Sequence, residues 1–240
     1  MIDHKLDELV QKLKAAAAEN LKAVILYGSA ATEEFHAKHS DLNILCLVEQ
    51  ADAAHLEALH GPMEWWMRRG QRAPLVFTLE ELRQSADIFA IELLDMKARH
   101  RILYGENVLA EISVPLRYHS IQVERELRNG WLRLRQAILA APKKPKVYLE
   151  IMVSSFSAFA ALFRHALIAL GEAPAETKRE TIGRIAQFAG ADPAAFQTIL
   201  SLREGKISGR HIDIEKTLNQ YFAFVEAVTE KFDRQLDANQ

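Results

Sequence analysis

One cysteine, Cys46, stands in 240 residues. An intrachain disulfide is therefore excluded, and the fold must rest on a packed core. Glycine (10) and proline (7) are too sparse for collagen-like or low-complexity chains. Charge of one sign is also missing. Lys and Arg number 30 against 32 Asp and Glu, a formal net charge of -2, so the overall basic excess typical of duplex-binding proteins is absent and nucleic acid is disfavoured as a partner. The opening MIDHKLDELV is too charged for the apolar core of a signal peptide. The most apolar late stretch, Ser157 to Leu170, is interrupted by Arg164 and His165 and is shorter than the roughly 20 residues a bilayer requires. A cytoplasmic protein with no membrane role is expected.

What is present is ordinary globular material, 49% apolar and 26% charged, enough for one or two domains with real cores. Ile2, Leu6, Leu9, Val10 and Leu13 fall at helical spacing, with Asn20 as a stop. Ala23 to Tyr27 and Leu42 to Val48 are continuous apolar runs, the pattern of strands covered on both faces. Ala51 to His60 reads as helix, Gly61-Pro62 as a break, and Met63 to Arg69 as helix resumed. Pro74 to Thr78 is a third strand, and Thr78 an N-cap for the helix that follows. Beyond Gly105 the patterns are helical throughout: Tyr118 to Ala140, Lys146 to Leu170, Glu176 to Ala189, Pro193 to Arg203 and Ile212 to Leu236. The short turns between them imply antiparallel neighbours. The expected class is α+β, a mixed sheet with helices over 1–115 followed by an all-α helical bundle over 116–240.

Chemistry concentrates in Tyr27-Gly28-Ser29, eleven further residues, then Asp41-Leu42-Asn43. Gly28 lacks a Cβ, so backbone there can approach a phosphate closely, and Ser29 adds a hydroxyl donor. Asp41 and Asn43 are two apart on a strand and project to one face. This Gly-Ser, Ser40-Asp41 and strand order resembles the minimal nucleotidyltransferases of the DNA polymerase β superfamily. The following bundle resembles the two-domain arrangement of the kanamycin nucleotidyltransferases. The resemblance implies Gly28, Ser29 and Ser40 at a nucleoside triphosphate, and Asp41 with Asn43 at Mg²⁺. It also implies that the bundle is a substrate-binding domain.

The chain departs from that pattern at decisive places. The motif's second carboxylate is Asn43, and the strand expected to carry a third, Arg72 to Thr78, has no acid. Glu80 and Glu81 follow it, within reach only if the strand is distorted. Losing one unit charge near a cation costs on the order of 4 kcal/mol at 4 Å and an effective dielectric of 20. A catalytically impaired, pseudoenzyme-like protein that binds a nucleotide or acts through a protein partner is therefore expected. The alternative is Mg²⁺-dependent transfer of a nucleoside monophosphate to a hydroxyl, completed by an acid from another segment.

Other constellations stand beside this one. His36, His39 and Asp41 have spacing compatible with a facial metal site, although loop histidines are usually solvated. Cys46 reads as a packing residue. Trp65-Trp66 with Arg68, Arg69 and Arg72 joins aromatic surface to positive charge, a combination that stacks bases and neutralises phosphates. Adjacent helical residues point about 100° apart, so at least one of the two Trp belongs to the core. Arg117, Arg125, Arg128, Arg133 and Arg135 read as a solvated helix face. The bundle also resembles HEPN domains, but the Arg and His spacing of their ribonuclease members is absent, and of Arg164-His165 one is expected to face a cleft.

Overall fold

The computed structural model describes residues 2–31 and 42–238, with Ser29 described in its backbone only. The chain forms two compact units, Met1–Pro115 and Leu116–Gln240.

Among the described residues the first unit is built on four strands: β1 (Leu21–Tyr27), β2 (Asn43–Val48), β3 (Leu75–Thr78) and β4 (His100–Gly105), in the order β3-β2-β1-β4. β1 is antiparallel to both β2 and β4, whereas β2 and β3 are parallel. Alternation divides the apolar runs between two cores. Val24, Leu26, Ile44, Cys46 and Val48 pack with Leu6, Leu9 and Leu13 of α1 (Ile2–Ala17) and Trp66 of α3 (His60–Met67). Ala23, Ile25, Leu45 and Leu47 face the other way, onto Leu82 of α4 (Leu79–Gln84), Leu93 and Met96 of α5 (Ala90–Ala98) and Leu109 of α6 (Val108–Glu111). Helices on both faces explain why β1 and β2 read as unbroken apolar runs.

Several local expectations change. A short α2 (Ala53–Ala58) precedes α3, and the break falls at Leu59. Gly61-Pro62 lies in the first turn of α3, where the missing proline N–H has no helical partner to lose. β4 is an edge strand absent from the sequence reading; its apolar run, Ile102-Leu103-Tyr104, is only three residues long, and none of its residues is fully buried. The opposite edge, β3, is blunted: Pro74 has no N–H, the Trp66 Nε1–H donates to Arg72 O at 2.9 Å, and the Thr78 N–H donates to the Glu81 carboxylate at 2.8 Å.

The second unit contains α7 (His119–Ala140), α8 (Pro145–Ala169), α9 (Lys178–Ala189), α10 (Ala194–Arg203) and α11 (Ile214–Asp237). These lie within two residues of the helical periodicity read above. Thr177 and Asp213 cap α9 and α11 through side-chain oxygens, and Gly190 closes α9 in the left-handed region. Its core is aromatic. Phe196 stacks on Tyr221 with centroids 4.2 Å apart, and Phe163 lies 5.2 Å from Phe196. The stretch Ser157 to Leu170 alone is too short for a bilayer, but α8 begins at Pro145 and by length and composition could cross one. Half of its most apolar window is buried, and Met152, Phe156, Phe159 and Phe163 pack inside the unit.

Candidate functional site

The C-terminal end of β1 and the N-terminal ends of β2 and β4 meet at one end of the sheet. Tyr27 is the cross-strand partner of Asn43 on β2 and of His100 on β4. Directly opposed residues project to the same face, so Tyr27, Asn43 and His100 form a row on the α5 side. Gly28 leaves the strand with φ +80°, and its N–H donates to Arg99 O at 2.9 Å. A methyl group added at Gly28 would lie 3.3 Å from Asn43 Nδ2. The glycine is thus required twice, for its backbone conformation and for the approach of the Asn43 amide.

Asn43 opens β2 half-buried, where the motif predicts it. Ser40, Asp41, His36 and His39 lie outside the described residues, as does the Ser29 side chain. The segment expected to carry the third carboxylate, in contrast, is described. Leu45 is the partner of Leu75 at the start of the parallel β2/β3 pair, and the residues just before it, Arg72-Ala73-Pro74, include no acid. Glu80 and Glu81 follow Thr78, which pairs with Val48 at the far end of β2, roughly 17 Å along the strand from Asn43. Both are engaged there: Glu81 completes a capping box with Thr78, and Glu80 accepts from Gln84 Nε2 at 3.0 Å. No distortion of β3 supplies a carboxylate to the site.

Two groups that the sequence reading passed over stand beside the row. Burial, and secondarily the charge of Glu92 on α5, hold the Tyr27 phenol above its ordinary value. Glu92 itself is exposed on α5. His100 Nδ1 lies 3.1 Å from Lys97 O and Nε2 lies 3.1 Å from the Asn107 side-chain amide. A carbonyl only accepts, so Nδ1 carries a proton, and the ring ties the start of β4 to the end of α5 and to Asn107. No local pattern could have found either group. Glu92 is one of many helical acids, and His100 belongs to the strand that was missed.

Among the described residues no group of three His, Cys, Asp or Glu side chains is placed to hold a metal ion. The donors that β2 and β3 present, a neutral amide at Asn43 and no acid on β3, do not fit the pair of Mg²⁺ ions that the nucleotidyltransferase resemblance implies, because hard cations need anionic oxygens. Cys46 is fully buried, and burial pushes its thiol up to about 12, as a packing residue requires.

No protein-family model matches this chain, and no curated protein matches its sequence. Solved structures do. Spectinomycin adenyltransferase AAD(9) from Enterococcus faecialis, determined with ATP and spectinomycin, is 14% identical with a TM-score of 0.56 over 93% of this chain and 99% of that one. The chain has the fold of a nucleotidyltransferase. At 14% identity the likeness is one of fold, and it extends over strands and helical unit alike. In the second unit, His165 faces no cleft: it is fully buried, with Nδ1 3.0 Å from His119 Nε2.

Proposed function

We propose that this nucleotidyltransferase-fold protein binds a nucleoside triphosphate at the β1–β2 end of its sheet and is impaired in transferring it. The observation that carries the reading is a phosphate-approach turn at Gly28, with its positive φ, beside a β3 that contains no acid. Gly28 and Ser29 would meet phosphate oxygens through backbone and hydroxyl, with Ser40 beside them. Asp41 would be the one anionic ligand for Mg²⁺, and Asn43 would add a neutral oxygen. A neighbour in fold solved with ATP supports a nucleotide as ligand. The sequence reading places the protein in the cytoplasm, and a protein partner is the competing account if no nucleotide binds.

Calorimetric titration with ATP, CTP, GTP and UTP, with and without Mg²⁺, on wild type and Asp41→Ala tests the proposal. Saturable binding weakened by Asp41→Ala, without release of pyrophosphate, is the expected result. Mg²⁺-dependent transfer abolished by Asp41→Ala would overturn the impairment. Absence of heat with every nucleotide would overturn the binding site itself.

A further inference from the structure

Trp65 and Trp66 have opposite fates, and the difference has a use. Trp66 is fully buried beneath the sheet and spends its indole N–H on Arg72 O. Trp65 is half-buried and lines a groove of about 350 Å³ between α1 and α3, shared with Lys12, Ala15, Ala16, Gly61 and Pro62. Apart from Lys12 and the indole, the lining residues are small, and a methyl group added at Gly61 would meet nothing within 4 Å. Two cations lie against the ring, the Arg69 guanidinium 4.0 Å and the Lys12 ammonium 5.1 Å from a ring centroid of Trp65. This groove packs on the α1 side of the sheet, the face opposite the Tyr27, Asn43 and His100 row.

An indole with two cations over its ring and the near-parallel Trp66 ring 6.2 Å away matches one chemistry, a nucleobase that displaces the Lys12 ammonium from the ring and pairs it with its phosphate. The acids nearby do not cancel that charge. Glu8 pairs with Lys12 at 3.7 Å and Glu64 with Arg68 at 2.7 Å, both exposed pairs one helical turn apart and weak enough for a phosphate to displace. Arg68, the C-cap of α3 next to Arg69, is the further cation that a second phosphate of a strand could reach by displacing Glu64. The chain's net charge of -2 disfavours duplex binding and leaves a local site of this kind open.

We propose that Trp65, Lys12 and Arg69 form a stacking site for a nucleobase and its phosphate, presented by single-stranded nucleic acid. It lies apart from the nucleotide site proposed above and does not depend on it. Fluorescence anisotropy with a labelled single-stranded oligoadenylate RNA tests the site, with unlabelled AMP as competitor and Asp41→Ala as a control that disables the other site. Trp65→Ala should weaken binding about tenfold or more, as loss of one stacked base does. Trp65→Phe should retain most of the affinity, Lys12→Glu should weaken binding and flatten its salt dependence, and Asp41→Ala should leave it unchanged. AMP competing as well as the oligomer would identify a free nucleotide as the source of the same chemistry. Failure of both probes to bind wild type would overturn the proposal, as would a folded Trp65→Ala that binds both as wild type does.

Discussion

At the residue scale, glycines constrain the first unit most tightly where the backbone turns into the left-handed region beside another strand. Gly105 has φ +79°, and a Cβ there would lie 2.0 Å from Lys22 O, a backbone atom that cannot move without breaking β1. Gly105→Ala should therefore cost more than the roughly 1–2 kcal/mol of the left-handed conformation alone, visible as a lowered denaturation midpoint. Gly28→Ala meets the softer obstacle of the Asn43 amide and should cost less stability but more nucleotide affinity, which parallel melting and calorimetry would separate. Cys46 is testable by chemistry. With its thiol buried and pushed up to about 12, it should resist maleimide in the native protein and react on unfolding. These residues were legible as types, a turn glycine and an apolar-strand cysteine, because the signal for each lies within a few neighbours. That Gly28 also has to clear Asn43 was not, since the contact joins strands fifteen positions apart.

At the scale of elements, α7 and α8 are joined by a buried histidine pair. His119 and His165 are both at most 1% exposed, and His119 Nδ1 has no hydrogen-bond partner among the described residues. Burial, and then the neighbouring His165, lower His119 to about 4 from an ordinary 6.5. The folded state thus refuses a proton that the unfolded chain accepts. Above pH 6.5 neither state binds it and stability is full; as pH falls from 6.5 toward 4 the unfolded state gains the proton first, and stability is lost. The total for this one group is on the order of 3 kcal/mol. Urea denaturation followed by helical circular dichroism should show a midpoint that falls steadily from pH 7 to pH 4.5, with a shallower fall in His119→Gln. Helix positions in this unit were readable from 3.6-residue periodicity because each helix buries one stripe. β4 was not, since its apolar run, Ile102-Leu103-Tyr104, is only three residues long and the strand follows closely on a helix.

At the scale of the whole molecule, the two units have separate cores, one of aliphatic strands and helices and one centred on Phe156, Phe163, Phe196, Tyr221 and Phe224. A chain comprising residues 116–240 should therefore fold by itself, with a helical spectrum and a single cooperative melt. A spectrum without a cooperative transition would show that its core is incomplete.

Sequence alone determined the class of the fold, the Gly28 turn, the neutral Asn43 and the acid-free segment from Arg72 to Thr78. All of these are local facts of residue type and spacing. Tertiary structure alone decided that Glu80 and Glu81 lie at the far end of β2 from Asn43, that His100 pairs opposite Tyr27, and which of two adjacent tryptophans reaches solvent. Strand register and helix orientation are set by non-local packing, where a shift of one residue turns every side chain to the opposite face and leaves the sequence pattern unchanged.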